Sequence, residues 1–334
     1  MELKINLNTD NIVLPANQIP SFKIMEATKR GASDCWLFYC WGGLGDQVCS
    51  EPTIRWAHKN LPWKRFGIVT DSQDVFNHID CEKFSTSELR DLVESGDWYL
   101  CPTIFDPKSL SWEFFSHMIV HAVDYVSINC LRMQLPVADR EIFIEKKEVG
   151  DPLLADIFAS GQTVVIHPGK HWPSKTFPPE FWKMVVDTCL ENKLKPILIG
   201  KRVDDNVGYV DFEFDEEAVI DLRDELSLHD MIAVLQATDI LISNDSSPIH
   251  IAASGKAKIG CIATVKHPDY IKHWRDGVWG KDFWNLSKGG LWQKYSISPF
   301  VDKTITCEDI EPDYLQSILP TKDDIQGFLD EIIR

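Results

Sequence analysis

From Thr163 to Ala263 the chain alternates between short apolar runs and helix-like segments, and this alternation constrains its fold more than any other feature. Thr163–Ile166 (TVVI) is apolar and β-branched, as befits a parallel strand covered on both faces. A helix is expected over residues 179–191, opening at Pro179, because proline suits a first helical turn. A strand over Lys195–Ile199 ends at Gly200, and a short one follows at Val219–Asp221. Next come a helix over residues 228–237 with Ser227 as its N-cap, and strands at Ile240–Ser243 and Lys258–Ala263. Strands alternating with helices mean parallel sheets built from βαβ units.

The first half follows the same grammar. The apolar run CWLFYCW (residues 35–41) leads into GGLGD and a helix-like segment, Glu51–Asn60. Strand-like runs recur at Phe66–Val69 and Tyr99–Pro102, with a helix expected over Ser111–Tyr125. The segment from about Ala138 to Ala155 is charged and proline-bearing, and reads as the passage between domains. The expected architecture is α/β: two doubly wound domains, residues 1–150 and 151–322, facing a central cleft. Residues 323–334 form a third piece, a helix with Ile325, Phe328, Leu329, Ile332 and Ile333 on one face. So wide an apolar stripe is expected to dock on the body, reaching back to the N-terminal domain.

Composition narrows the function classes. A chain of 334 residues with 44% hydrophobic and 25% charged side chains is globular and long enough for two cores. With no run of eighteen apolar residues and a polar N-terminus, MELKINLNTD, the expectation is a cytoplasmic protein without stable membrane insertion. Its nine cysteines are odd in number and scattered, which argues against a disulfide framework or a zinc site. A net charge of −17 disfavours broad contact with nucleic acid or an anionic membrane unless cations are gathered locally, as at Lys64-Arg65 and Lys266–Arg275.

Three segments carry chemistry. In WGGLGDQVCSEP (41–52), Gly43 and Gly45 allow close backbone approach, and Asp46 stands at the start of a helix, where it is either a cap or a reactive carboxylate. The segment is neither G-x-G-x-x-G nor a P-loop. In TVVIHPGKHWPSKTFPPEFW (163–182), a strand end supplies Lys170, His171 and Lys175 ahead of a helix, where an open α/β sheet holds ligands and where phosphate is favoured. KHWP and KTFP are near-duplicates five residues apart, so either lysine fits. In ISNDSSPIHIAASG (242–255), Asp245 follows a buried strand, Ser246 and Ser247 offer donors, and His250 lies one turn into a helix, as a ligand contact or a satisfied core histidine.

Taken in order, GGLGD, HPG-x5-K-x-[WF]-P and ND-S-x-P-x-H-x-A-A resemble the heptosyltransferase family, glycosyltransferase family 9, over roughly residues 35–265. The resemblance implies a GT-B fold of two Rossmann-like domains, with the acceptor mainly in the first and a nucleotide-sugar in the second. It makes Asp46 the catalytic base, Lys175 the contact to the donor diphosphate, and Asp245, Ser246 and His250 the holders of the donor sugar and phosphates. His167, Ser247 and Gly200 join the donor side; Gly43, Gly45 and Lys170 are assigned to the acceptor side. The chain departs from the family in having Ser247 where glycine is usual and Phe177 where tryptophan is usual.

The reaction implied is sugar transfer from a nucleotide-sugar to an acceptor hydroxyl, with inversion. It needs a base for the acceptor and cations for the leaving group, and no cofactor beyond the donor substrate. No D-x-D triplet is present and no metal is expected; Asp204-Asp205 reads as a surface turn. A saccharide acceptor is favoured. A hydroxymethylated base in DNA is the alternative, with VKHPDYIKHWRDGVWGKDFW (265–284) as a stacking surface or simply a tryptophan-rich loop. A nucleotide-sugar epimerase and a silent sugar-binding module are the readings from other classes. The oligomeric state is open.

Overall fold

The structure is a computed structural model, and it describes residues 34–40, 43–102, 141–170, 173–203, 206–295 and 311–333. The chain divides into two compact units, Met1–Arg140 and Glu141–Arg334. The helix expected over Ser111–Tyr125 and the acidic pair Asp204-Asp205 lie outside the described residues.

In the first unit, β1 (Cys35–Tyr39), β2 (Arg65–Val69), β3 (Glu82–Phe84) and β4 (Tyr99–Pro102) form a parallel sheet in the order β3-β2-β1-β4. Leu37, Val69 and Leu100 build one core together with Trp98 and with Leu89 and Val93 of α2 (Leu89–Glu94). Gly67 is glycine for a packing reason: a Cβ there would lie 2.9 Å from Leu37 and 3.1 Å from the Trp98 ring. The helix expected over Glu51–Asn60 is longer; α1 runs Leu44–Asn60 and carries Pro52 inside it. It also buries Glu51 completely, which is possible because Arg55 Nε and His78 Nε2 donate to its carboxylate at 2.6 and 2.8 Å.

The second unit begins with α3 (Pro152–Ser160), capped by the Asp151 side chain. Its strands are β5 (Thr163–His167), β6 (Lys195–Leu198), the hairpin β7 (Arg202–Val203) and β8 (Asn206–Val207), β9 (Ile220–Asp221), β10 (Ile240–Asn244), β11 (Lys258–Ile262), the hairpin β12 (Trp274–Arg275) and β13 (Val278–Trp279), and β14 (Phe283–Asn285). Six of them make one parallel sheet in the order β14-β11-β10-β5-β6-β9. Val164 and Ile166 enter the core beneath α4 (Pro179–Glu191), while Val165, on the alternate face, is also fully buried. Helix α5 (Leu228–Ala237) starts at the expected cap, with the Ser227 hydroxyl accepting from Asp230 N–H at 3.2 Å.

Helices α6 (Ser247–Ala252), α7 (Leu291–Tyr295) and α8 (Pro312–Ile318) are short, and α9 (Lys322–Ile333) ends the unit. The apolar stripe of α9 is buried within its own unit. Ile325, Phe328, Leu329 and Ile332 share a core with α4, and a Cβ on Gly260 of β11 would lie 2.9 Å from the Phe328 ring. Asn192–Gln326 hydrogen bonds and the Lys322–Glu191 pair fasten α9 to the end of α4.

The stretch 265–284 is part of this unit's architecture. Val265, Ile271, His273 and Phe283 are buried, Trp274 packs on Trp279 with centroids 5.6 Å apart, and Trp284 packs on Phe328 at 5.5 Å. The aromatic residues proposed for base stacking therefore include several that pack within the protein. Among the described residues, no helix is long and apolar enough to cross a membrane.

Candidate functional site

Strand order locates the site. From β5 the chain steps outward through β6 to β9, then returns to place β10 on the other side of β5 and continues to β11 and β14. The reversal leaves a crevice beyond the carboxyl ends of β5 and β10, where open α/β sheets receive ligands. Ser243 of β10 is paired in register with His167 of β5, so the segments leaving the two strands meet at that point.

Lys175 comes from the turn Pro173–Lys175 and Asp245 directly follows β10. Lys175 Nζ donates to Asp245 Oδ2 at 2.7 Å and to the Asp245 carbonyl at 3.1 Å, with side-chain exposures of only 5% and 3%. Burial alone would raise the Asp245 carboxyl, but the Lys175 ammonium, helped by Lys266 and His250, holds it well below the usual carboxylate range. The surrounding loop is stapled in place. Asn244 Nδ2 donates to the Gly169 carbonyl at 3.0 Å and to the Lys175 carbonyl at 2.8 Å, and Thr264 Oγ1 donates to the Ser174 carbonyl at 2.8 Å. Gly169 must be glycine here, since a Cβ would sit 2.5 Å from Asn244 Oδ1 and 2.7 Å from the His167 ring.

Polar side chains continue the cluster. His167 Nδ1 lies 3.0 Å from Ser246 Oγ and 3.3 Å from Ser243 Oγ. Ser246 precedes α6, whose His250 places Nδ1 2.8 Å from Nε2 of His273. His273 is buried, and burial, then His250 and Arg275, push its pKa well below 6.5 against an opposing pull from Asp245. Ser247, where the family usually has glycine, is the first residue of α6 and half-buried.

Lys175, His167, Asp245, Ser246 and His250 are thus brought together, whereas the contacts of Lys170 and Gly200 are with the segment around Gly208 and Tyr209. Lys170 is exposed and lines a groove of about 690 Å³ with Phe177, Tyr209 and Leu315. The room left by Gly200 is taken by the Tyr209 ring, which a Cβ would approach to 2.6 Å. Of the two near-duplicate lysines, Lys175 is therefore the one joined to Asp245. His273, Asn244 and Lys266 were not singled out from sequence, although all three lie in segments quoted for other reasons.

In the first unit Gly43 precedes α1, with Gly45 and Asp46 in its first turn. The half-buried Asp46 accepts a hydrogen bond on Oδ2 from Gly43 N–H at 3.1 Å, so the capping role is realised. Gly43 itself has φ of −65°, which any residue adopts.

The family model described as glycosyltransferase family 9 (heptosyltransferase) matches residues 105–278, more than half of the chain. The chain belongs to glycosyltransferase family 9. It is a glycosyltransferase, and solved structures of family members share its GT-B fold. A family 9 glycosyl transferase from Veillonella parvula DSM 2008 is 14% identical, with a TM-score of 0.59 over 91% of this chain and 98% of that one. The iron-containing dodecameric glycosyltransferase TibC of enterotoxigenic E. coli H10407 is 13% identical, with a TM-score of 0.64 over 91% of this chain and 77% of its own. TibC has also been crystallised with ADP-D-beta-D-heptose. The E. coli ADP-heptose lps heptosyltransferase II is 12% identical, with a TM-score of 0.53 over 89% and 99% of the two chains. No curated protein matches the chain in sequence.

Proposed function

We propose that this glycosyltransferase moves a sugar from a nucleotide-sugar to an acceptor hydroxyl, a saccharide hydroxyl by preference, with inversion and without a metal ion. The observation that carries the reading is the buried Lys175–Asp245 pair at the crevice between β5 and β10. A cation locked by a carboxylate and a carbonyl is set before the substrate arrives, and a charged leaving group gains most from groups that need not reorganise. The donor complex of TibC supports a nucleoside-diphosphate sugar as the substrate class.

In this reading Lys175, Ser246 and His250 meet the diphosphate, with Ser247 beside it, and Asp245 holds Lys175 and the donor sugar. His167 orders Ser246, and Gly200 borders the donor region at the end of β6. Gly43, Gly45 and Lys170 belong to the acceptor side. The acceptor oxygen attacks the anomeric carbon as its bond to the phosphate oxygen breaks; the bonding pair leaves with the diphosphate, and the hydroxyl proton passes to the Asp46 carboxylate. Lys175, Lys266 and His250 supply the positive charge that a metal would otherwise bring.

The test is incubation with a panel of nucleotide-sugars, ADP-heptose included, and saccharide acceptors, followed by mass spectrometry and NMR of the product anomer, with and without EDTA. Product of inverted configuration at an unchanged rate in EDTA is expected. Asp46→Asn should lower kcat by about 10²–10⁴-fold while donor affinity stays nearly constant. A fully active Asp46→Asn enzyme would remove the base assignment, and donor converted without acceptor would replace transfer by epimerisation.

A further inference from the structure

His273 belongs to no motif, yet its ring brings the 265–284 segment against the candidate site. Its Nε2 lies 2.8 Å from His250 Nδ1, and the rings stand nearly perpendicular at 87° with centroids 4.9 Å apart. Two imidazole nitrogens at that distance must share one proton, because two N–H groups would repel and two lone pairs would not bond. The same segment also grips the helix that carries His250. Arg275 Nη2 donates to the Ala252 carbonyl at 3.0 Å, at the end of α6, and Nη1 donates to the Ala257 carbonyl at 2.8 Å.

We propose that His273 is a positioning residue for donor binding: it orients the His250 ring and accepts a hydrogen bond from its Nδ1–H, so that His250 can become cationic and present Nε2–H to the donor diphosphate. This rests on the reading of the site as a nucleotide-sugar site. With Nδ1 committed to His273, only Nε2 can meet a ligand, so the tautomer is set by a residue outside the ligand's reach. Burial, then His250 and Arg275, hold the His273 pKa well below 6.5 against the pull of Asp245, so a neutral His273 can accept on Nε2. Arg275 of β12 and Asp245 after β10 act on His273 together with His250, and Lys175 from its turn and Lys266 after β11 act with His250 on Asp245. An arriving diphosphate adds negative charge to this set, and proton uptake by His250 answers it.

Two measurements test the proposal on the full chain. The first reads the imidazole ¹⁵N signals of the unliganded protein, wild type and His273→Phe. The His250 Nδ1 signal should report a hydrogen-bonded nitrogen in the wild type and shift in the variant; an unchanged signal overturns the pairing. The second is the affinity for ADP between pH 5.5 and 8.5. Wild-type binding should tighten as pH falls through the His250 titration. His273→Phe should weaken ADP binding about tenfold at neutral pH and move that limb to lower pH, as expected for losing one charge-assisted hydrogen bond. His273→Gln, whose Oε1 can reach the Nε2 position, should restore the limb. His273→Leu is a second apolar variant should the phenylalanine variant fail to fold. If His273→Phe or His273→Leu lowers Tm but leaves the ADP affinity and its pH limb unchanged, the role is structural and the proposal fails; it fails equally if folded His273→Gln does not restore the limb. Wild-type protein that shows the ¹⁵N pairing but binds no ADP, GDP or UDP would instead overturn the donor reading, and this role with it.

Discussion

Replacing Lys175 by methionine keeps the length of the side chain and removes its charge, which leaves the Asp245 carboxylate buried and unpaired. Both side chains are nearly sealed from solvent, at 5% and 3% exposure, so water cannot take over the lost contacts at 2.7 and 3.1 Å. Breaking such a buried pair from one side costs about 3–5 kcal/mol. For a unit of this size each kcal/mol shifts Tm by about 2–4 °C, so Lys175→Met should melt about 6–20 °C lower. Asp245→Asn should be comparably costly, because it strands the ammonium. The double variant, with no buried charge left over, should cost less than the sum of the singles by at least about 1 kcal/mol.

The pH dependence gives a second reading of the same pair. In the wild type the Asp245 pKa is depressed on folding, so its stabilisation is fully present above the unfolded value of about 3.9 and is lost only as pH falls toward the lower folded value. In Lys175→Met only Lys266 and His250 oppose burial, which now outweighs them and raises the carboxyl above its unfolded value, so that variant gains stability as pH falls and the carboxylate takes up a proton. The gap in Tm should therefore narrow from pH 7 toward pH 4.5. Thermal unfolding of the four proteins across that range is the assay. Additive single and double variants, or a gap that does not change with pH, would refute the account of a buried, mutually dependent pair.

Other substitutions probe neighbouring steps. Gly169→Ala places a methyl group 2.5 Å from Asn244 Oδ1 and should displace the side chain that staples the Lys175 loop. A stability loss of about 1–3 kcal/mol by urea unfolding is expected, together with weaker nucleotide binding by calorimetry. Phe328→Ala removes the ring that α9 sets against Gly260 and should cost about 3–5 kcal/mol in the same assay; a loss below about 1 kcal/mol would mean that α9 is only loosely seated.

The alternation in the second unit could be read from sequence because its central strands are buried on both faces. TVVI and ILIS carry no polar interruption that a half-exposed strand would show, and Pro179 and Ser227 mark helix starts by chemistry that acts locally. α1 was harder. Proline lacks the N–H that a helix interior needs, so Pro52 reads as a helix start, and the polar residues before it give no apolar period. The helix extends back to Leu44 for tertiary reasons, burying Gln47, Val48, Cys49 and Glu51, the last against His78 from a distant loop. β3, α2 and β14 have three to six residues each, too few for a period to register.

The site divides along the same line between local and distant causes. Motif spacing pointed to Asp245 and to a lysine, but KHWP and KTFP satisfy the spacing equally well. Choosing between them depends on where Asn244 and Thr264 pin the loop, that is, on contacts spanning 69 to 90 residues of sequence. His273 lies further still from any local signal. A histidine among tryptophans and cations in 265–284 looks like surface, and it becomes part of the site only because Arg275 fixes its segment to the end of α6 and the last turn of that helix brings His250 to it. The motif residues therefore name the atoms that would face a ligand, while the residues that set their charge and direction are placed by the fold. If that division holds, exchanging motif residues should change which ligand binds and how tightly, and exchanging His273 should change the pH at which it binds.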